Sequence, residues 1–435
     1  MNGKIIFWSI AVGLGGLLFG LDVAVISGAE QAIQKLWSLT DWEHGTAIAM
    51  ALYGTAFGAA FGNIPANKIG RKKTLIWIGI LFFISSIGAA IAQDVYTFMV
   101  FRFLSGLSIG ASSVVAPVYI SEIAPPKFRG RLVISFQLSI VCGILVAYFS
   151  NYVLAGFGGA NDWRYMLGVV AIPSLIFSLF MLAVPETPRW LLLYKNDEAH
   201  ARRILSITED NVDKTIAEIR AASKHVKETV FSKKFFKPLM LAFLIASFNQ
   251  LSGINAIIYF APKVFEMAGI ARNGALFSTV GIGVVNLIFT ILGWSLIDKF
   301  GRRTLMIIGS FGYIISLALM SWSFSSGNND YIVYYTFLFI AAHAIGQGAV
   351  IWVFISEIFP NSVRAAGMSF GCLTHWTWAA IVAQVFPYFA ANIGGSFIFG
   401  FFCCMMVLQL LFAWKLMPET KGIALEDMDK QVVLH

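Results

Sequence analysis

Charge is scarce in this chain. Only 12% of its 435 residues are Asp, Glu, Lys or Arg, about half the share of an ordinary soluble domain. With 58% hydrophobic residues and a mean hydropathy of +0.76, it cannot cover a globule with solvated side chains, which excludes a water-soluble protein. Cysteine is also rare. Cys142, Cys372, Cys403 and Cys404 lie inside apolar runs without C-x-x-C or ligand spacing, so a disulfide framework or metal site is not expected and they read as inert buried thiols. No nucleophile–base pair or phosphate loop stands in an accessible stretch, and Gly70-Arg-Lys-Lys is not such a loop. Neither an enzyme nor any cofactor is expected. The first apolar run, 5–27, is too long for a signal peptide and ends without a small-residue cleavage pattern.

What the chain does have is long apolar runs. A membrane-crossing helix needs roughly 20 mostly apolar residues, and hydropathy predicts twelve: 5–27, 45–66, 74–92, 96–120, 132–155, 163–184, 236–262, 274–297, 304–324, 332–356, 364–389 and 394–416. The polar stretch between the sixth and seventh has helical character at 197–206 and 211–222. With the N-terminus in the cytoplasm, 26 of the 31 basic residues fall in cytoplasmic segments; only Lys35, Arg102, Arg164, Lys263 and Arg272 lie elsewhere. That is the positive-inside asymmetry. It turns the net charge of +8 into a topology signal and argues against nucleic acid as a partner.

The two halves also repeat one another. Gly62-Asn-Ile-Pro-Ala-Asn67-Lys-Ile-Gly70-Arg71-Lys72 recurs as Gly293-Trp-Ser-Leu-Ile-Asp298-Lys-Phe-Gly301-Arg302-Arg303, offset by 231. Tyr119-Ile-Ser-Glu122-Ile-Ala-Pro125 recurs as Phe354-Ile-Ser-Glu357-Ile-Phe-Pro360, offset by 235, and Val184-Pro-Glu186-Thr as Met417-Pro-Glu419-Thr, offset by 233. The fold expected is all-α and polytopic, with two pseudo-symmetric six-helix halves. Residues 1–184 and 236–416 form the halves, 185–235 a cytoplasmic linker with short amphipathic helices, and 417–435 a cytoplasmic tail. Such halves suit alternating access to a site near the midplane.

These motifs, with Arg102–Gly106, Pro117–Arg131, Pro185-Glu-Thr-Pro-Arg189 and Gln250-Leu-Ser-Gly-Ile-Asn255, give the chain its resemblance to the sugar porters of the major facilitator superfamily. The resemblance runs over essentially the whole length. It implies a multi-pass transporter of the cell (inner/plasma) membrane, both termini cytoplasmic and functional as a monomer, whose partners are a monosaccharide or polyol, a proton and the bilayer.

Asp22 interrupts an apolar run, and a carboxylate in a span costs roughly 3 kcal/mol or more. Counted along their helices, Asp22 and Arg102 both fall in the outer half of the membrane. They read as a proton-coupling pair, with a static packing pair as the alternative. In proteins of this resemblance an acid here accompanies proton symport.

A sugar needs amides for its hydroxyls and aromatic surfaces for its ring face. Asn249, Gln250 and Asn255 with Gly253 between them, together with Gln137, Asn286, Gly348, Trp352, His375 and Trp376, match the sugar-contacting positions of the family. Gly253 permits local unwinding that would aim both amides at a cavity. Asn249 stands where relatives usually have Gln, His375 where they have Gln or Asn, and Gly348–Trp352 lacks the usual prolines. His375 reads either as a neutral hydrogen-bonding group or as a second titrating one.

By the same resemblance, Arg71, Glu122, Arg129, Glu186, Arg302, Glu357, Arg364 and Glu419 form a cytoplasmic gate of salt bridges between the halves. Asn67 replaces the loop acid that Asp298 keeps. The function expected is proton:monosaccharide symport. Facilitative uniport and proton-coupled transport of an inositol-like polyol stand beside it. A sugar sensor would carry long cytoplasmic extensions, whereas 18 residues follow Met417.

Overall fold

The computed structural model describes residues 3–125, 129–209, 211–222, 229–360 and 363–421. Its first half is built from α1 (Gly3–Leu36), α2 (Asp41–Phe61) with its continuation α3 (Asn63–Ile69), α4 (Arg71–Ile91), α5 (Val95–Ile123), α6 (Arg129–Leu154), and α7 (Asp162–Gly168) running into α8 (Ala171–Ala183). After the short α9 (Pro188–Trp190), α10 (Glu198–Thr208) and α11 (Val212–Ala222) come the second-half rods. These are α12 (Phe236–Leu251) with α13 (Ile254–Met267), α14 (Arg272–Phe300), α15 (Arg302–Ser326), α16 (Ile332–Ile345) with α17 (Gln347–Glu357), α18 (Arg364–Asn392) and α19 (Gly395–Lys415).

Among the described residues, ten rods are long and apolar enough to cross a bilayer, and the α2–α3 pair, bent by 46°, is an eleventh. The 29-residue α18 is long enough but, with His375 and Gln384 among its residues, falls short of that apolarity. The chain is a multi-pass membrane protein. Side chains such as Trp77, Ile91, Val100, Phe57 and Trp414 are exposed on its flanks, as lipid-facing positions must be, because hydrocarbon is as apolar as they are.

One boundary differs from expectation. α1 does not stop at residue 27 but continues to Leu36. Its polar extension faces local partners: Glu30 Oε2 lies 2.9 Å from His44 Nε2, both side chains fully buried, and Gln34 donates to Asp41 at 3.1 Å. A helix closes its own backbone bonds, so it outlasts the apolar run wherever its side chains find partners.

Without a hydrophobic driving force in lipid, close backbone approach holds the rods together. α2 and α5 interlock through Gly54, Gly58, Gly106 and Gly110, where a methyl group would lie 2.1, 2.3, 1.9 and 2.1 Å from a carbonyl oxygen of the facing helix. The repeated loops have a physical function too. Gly70 and Gly301 have φ of +100° and +89°, and each precedes a helix whose first N–H groups need acceptors. Glu186 supplies them for α4, accepting from Arg71 (3.0 Å) and Lys72 (3.1 Å). Glu419 does so for α15, accepting from Arg302 (2.9 Å) and Arg303 (3.0 Å). A side chain on either glycine would collide with that carboxylate, at 2.1 and 2.4 Å.

Call the end carrying Gly3 and Lys415 the base. The halves are joined by α2 against α18, α6 against α14 and α1 against α13. The tightest contacts lie away from the base: a methyl group on Gly45 would sit 1.9 Å from the Gln384 carbonyl oxygen, the Tyr53 hydroxyl donates to the Gln384 side chain, and Asp162 meets Arg272 at 3.0 Å. The apolar core follows suit. One core runs through the first half and across the far end into the second; at the base the second half keeps a separate one around Phe235, Leu305, Ile351 and Phe354. The far end is closed.

Glu186→Ala and Glu419→Ala each strand N–H groups at a helix start. Each is expected to lower stability in detergent by about 2 kcal/mol, read from denaturant or thermal unfolding. Gly45→Leu is expected to keep the far end from closing. Uptake into proteoliposomes should then fall to background while the purified protein still unfolds cooperatively.

Candidate functional site

Two polar clusters occupy the bundle interior. In the first, Arg102 on α5 donates through Nη1 to both carboxylate oxygens of Asp22 on α1 at 3.2 Å, and Ser105 Oγ, one turn from Arg102, donates to Oδ2 at 2.5 Å. Asp22 is 2% and Arg102 1% exposed. Arg102 Nε and Nη2 find no hydrogen-bond partner among the described residues, nor does the Tyr259 hydroxyl. Tyr259 comes from α13 of the other half and lies within electrostatic reach of both charges. The pair thus sits at the seam between halves with spare donors on one side and a spare hydroxyl on the other.

The second cluster forms where α12 breaks into α13. Gly253 there has φ +86°, a conformation only glycine adopts freely, and the break brings Gln250 and Asn255 onto one side. Asn255 donates to Gln250 Oε1 at 2.7 Å, and Gln250 donates to Asn249 Oδ1 at 3.0 Å. Gln250 Nε2 also lies 3.0 Å from His375 Nε2 on α18. The His375 ring is flanked by Trp352 of α17 at 5.0 Å and Trp376 at 4.7 Å, and Phe19 of α1 packs on Trp376 at 5.6 Å. Amides, an imidazole and two indoles therefore meet within one turn of each other, with the first half touching them through Phe19.

Not every expected residue joins this cluster. Asn286 is buried on α14 and accepts from Thr290 of its own helix at 3.4 Å. Gln137 is half-buried on α6. Gly348 turns toward α16, where an added methyl group would meet the His343 carbonyl at 3.2 Å, so its smallness serves helix packing at that point.

At the base, the ion pairs of Arg71 and of Arg302 are each made within one half. Arg71 reaches Glu122 at 3.3 Å while Thr187 donates to the same carboxylate at 2.6 Å. Arg302 reaches Glu357 at 2.9 Å, and Thr420 donates to that one at 2.6 Å. Glu186 and Glu419 are taken up by backbone N–H groups. Burial pushes the Glu186 carboxyl up, against the pull of the N–H donors of Thr187, Lys72 and Arg71. Arg302 also holds Asp298 at 3.0 Å, whereas Asn67 instead offers its carbonyl to Trp190 at 2.8 Å. Arg364 donates to the Phe359 carbonyl at 3.1 Å. The Arg129 side chain lies outside the described residues.

Sequence reasoning missed Ser105, Tyr259, Gln347 and Gln409. Each is a polar group inside an apolar run, and that is the only signal any of them carries in one dimension. Gln347 opens α17 and accepts from Asn249 at 3.3 Å.

Comparison with known proteins agrees with this architecture. The family described as "Sugar (and other) transporter" matches residues 8–432. The arabinose-proton symporter of Bacillus subtilis (strain 168) is 36% identical over 442 residues, covering 98% of this chain and 95% of that protein. The D-xylose-proton symporter of Escherichia coli (strain K12) is 34% identical over 458 residues, covering 96% and 93%. The inward-open conformation of the xylose transporter XylE from E. coli superposes with a TM-score of 0.88 at 32% identity, covering 98% of this chain and 100% of that one. With the helical halves, the seam and the amide–indole cluster in place, the chain belongs to the sugar (and other) transporter family and has the major facilitator fold.

Proposed function

We propose that the chain is a proton-coupled monosaccharide symporter of the cell membrane, working as a monomer by alternating access. The base, toward which 26 of the 31 basic residues are assigned by sequence, faces the cytoplasm together with both termini. Residues 1–184 and 236–416 are the moving halves, 185–235 the linker and 417–435 the tail. The observation that carries the reading is the buried Asp22–Arg102 pair at the seam, with Tyr259 of the other half within its electrostatic reach.

The chemistry follows from burial. With Asp22 ionised, Arg102 is neutralised by it. A proton on Asp22 removes that attraction, and the freed guanidinium needs an acceptor, which the Tyr259 hydroxyl oxygen offers. Protonation therefore shifts Arg102 from a contact inside the first half toward one with the second. The sugar binds among Gln250, Asn255, His375, Trp352 and Trp376, with Asn249 behind them, and Gln137 and Asn286 complete the site from α6 and α14. The far-end contacts, Gly45 on Gln384 and Asp162 with Arg272, are the outer closure. Arg71, Glu122, Arg129, Glu186 and their counterparts Arg302, Glu357, Arg364 and Glu419 form the inner gate. The two relatives named as proton symporters of arabinose and of xylose support a monosaccharide as cargo.

The test is Asp22→Asn in proteoliposomes supplied with D-xylose, L-arabinose or D-glucose. Accumulation driven by an inward proton gradient is expected to vanish, while sugar counterflow, which needs no net proton movement, persists. Undiminished gradient-driven accumulation would refute proton coupling at Asp22, and a wild type that only equilibrates sugar would identify a uniporter.

A further inference from the structure

Behind the amide cluster lies a second row of buried amides that the transport cycle above does not use. Asn249 Nδ2 donates to Gln347 Oε1 at 3.3 Å, Gln347 Nε2 donates to Gln409 Oε1 at 2.5 Å, and Gln409 Nε2 donates to Ser310 Oγ at 2.8 Å. Ser310 Oγ in turn donates to the Met306 carbonyl at 2.7 Å. Gln347, Gln409 and Ser310 are all 0% exposed. On the cavity side the same sense of donation continues, from Asn255 to Gln250 and from Gln250 to Asn249.

Every link thus donates in one direction, from Asn255 to a main-chain carbonyl on α15. This has a consequence for recognition. An isolated amide can turn over and exchange its oxygen for its NH2 group, so it presents a donor or an acceptor to a sugar hydroxyl with equal ease. In the relay that freedom is gone. Ser310 spends its proton on a fixed carbonyl, so it can only accept from Gln409. Gln409 must then accept from Gln347, and Gln347 from Asn249. Asn249 must show its oxygen to Gln250, and Gln250 its oxygen to Asn255. Turning over any one amide would set oxygen against oxygen in a low-dielectric interior, where an unpaired polar group is costly. Gln347 is held by the backbone as well, because it opens α17 directly after the break at Gly346 (φ −86°, ψ −96°).

We propose that Gln347 and Gln409 are positioning residues that fix the amide orientation of Asn249 and Gln250, and thereby select the pattern of sugar hydroxyls the site accepts. This rests on the sugar-binding reading of the cluster. It also accounts for the shorter Asn at 249: Gln347 reaches in from α17 to meet it.

The test titrates purified wild type, Gln347→Met, Gln409→Met and the double variant with D-xylose, L-arabinose, D-glucose and D-galactose, following thermal shift and tryptophan fluorescence. Methionine keeps the volume and removes the amide. For the sugar the wild type prefers, each single variant is expected to raise Kd about tenfold. The double variant should be no worse than the worse single one, since a relay cut twice is still one cut relay. Discrimination between D-glucose and D-galactose should contract with it. The proposal is overturned if the two losses multiply, or if all sugars lose affinity by one common factor. Should Gln347→Met not fold, Gln409→Met, further from the sugar, carries the same discrimination test. A wild type that binds none of the four sugars would instead refute the sugar-binding reading itself, a failure visible in the unaltered protein.

Discussion

A carboxylate and a guanidinium, each all but sealed from solvent, meet where α1 and α5 pack at the seam of the two halves. Either charge alone would be untenable in an apolar bundle, since breaking such a pair by removing one partner costs several kcal/mol. Together they hold, with Ser105 adding a third bond to Asp22. Among the described residues, Arg102 Nε and Nη2 have no hydrogen-bond partner, so the guanidinium can make further bonds.

The base is organised by helix capping and short-range pairing. Glu186 and Glu419 each cap the first turn of a helix, while Glu122 and Glu357 each take a guanidinium and a threonine hydroxyl. Two copies of one arrangement, from a duplicated sequence, hold these four carboxylates within the lower part of each half. Carboxylates held in this way fit the apolar core, which is continuous across the far end and divided at the base. Rigid halves that part on one side and press together on the other are what rocking about a central site requires.

The rods were legible in the sequence because a bilayer imposes length and apolarity on each. The duplication was legible because turn chemistry at the loops repeats residue for residue. Asp22 and Arg102 were legible because a charge in a span has few explanations. The partners were not. Nothing in the residue types tells whether Glu186 meets an arginine of the other half or the N–H groups of its own; the glycine at φ +100° that opens α4 decides it. Gln347 and Gln409 were invisible for a related reason, since an amide in an apolar run reads the same whether it bridges two helices or ends a chain of bonds. Gly348 was placed on the right helix but faces His343, because one residue of helical rotation is 100° and a motif fixes position more closely than direction.

The two clusters are connected by a single short piece of helix. α13 is bounded by Gly253, in a left-handed conformation, and is interrupted at Phe260, whose φ of −124° and ψ of 18° leave the helical region just before Pro262. Between those two breaks, Asn255 and Tyr259 are four residues apart and so share a face. Asn255 belongs to the amide cluster, and Tyr259 lies within electrostatic reach of the Asp22–Arg102 pair. Fewer than two turns separate the two breaks, so any displacement of this segment carries Asn255 and Tyr259 together. Tyr148 of α6 donates to the Ile258 carbonyl in the same segment at 3.0 Å, which ties its position to the first half as well. On the proposed assignment of the sugar and proton sites, both ligands would bias one element, and that element lies on the seam between the halves.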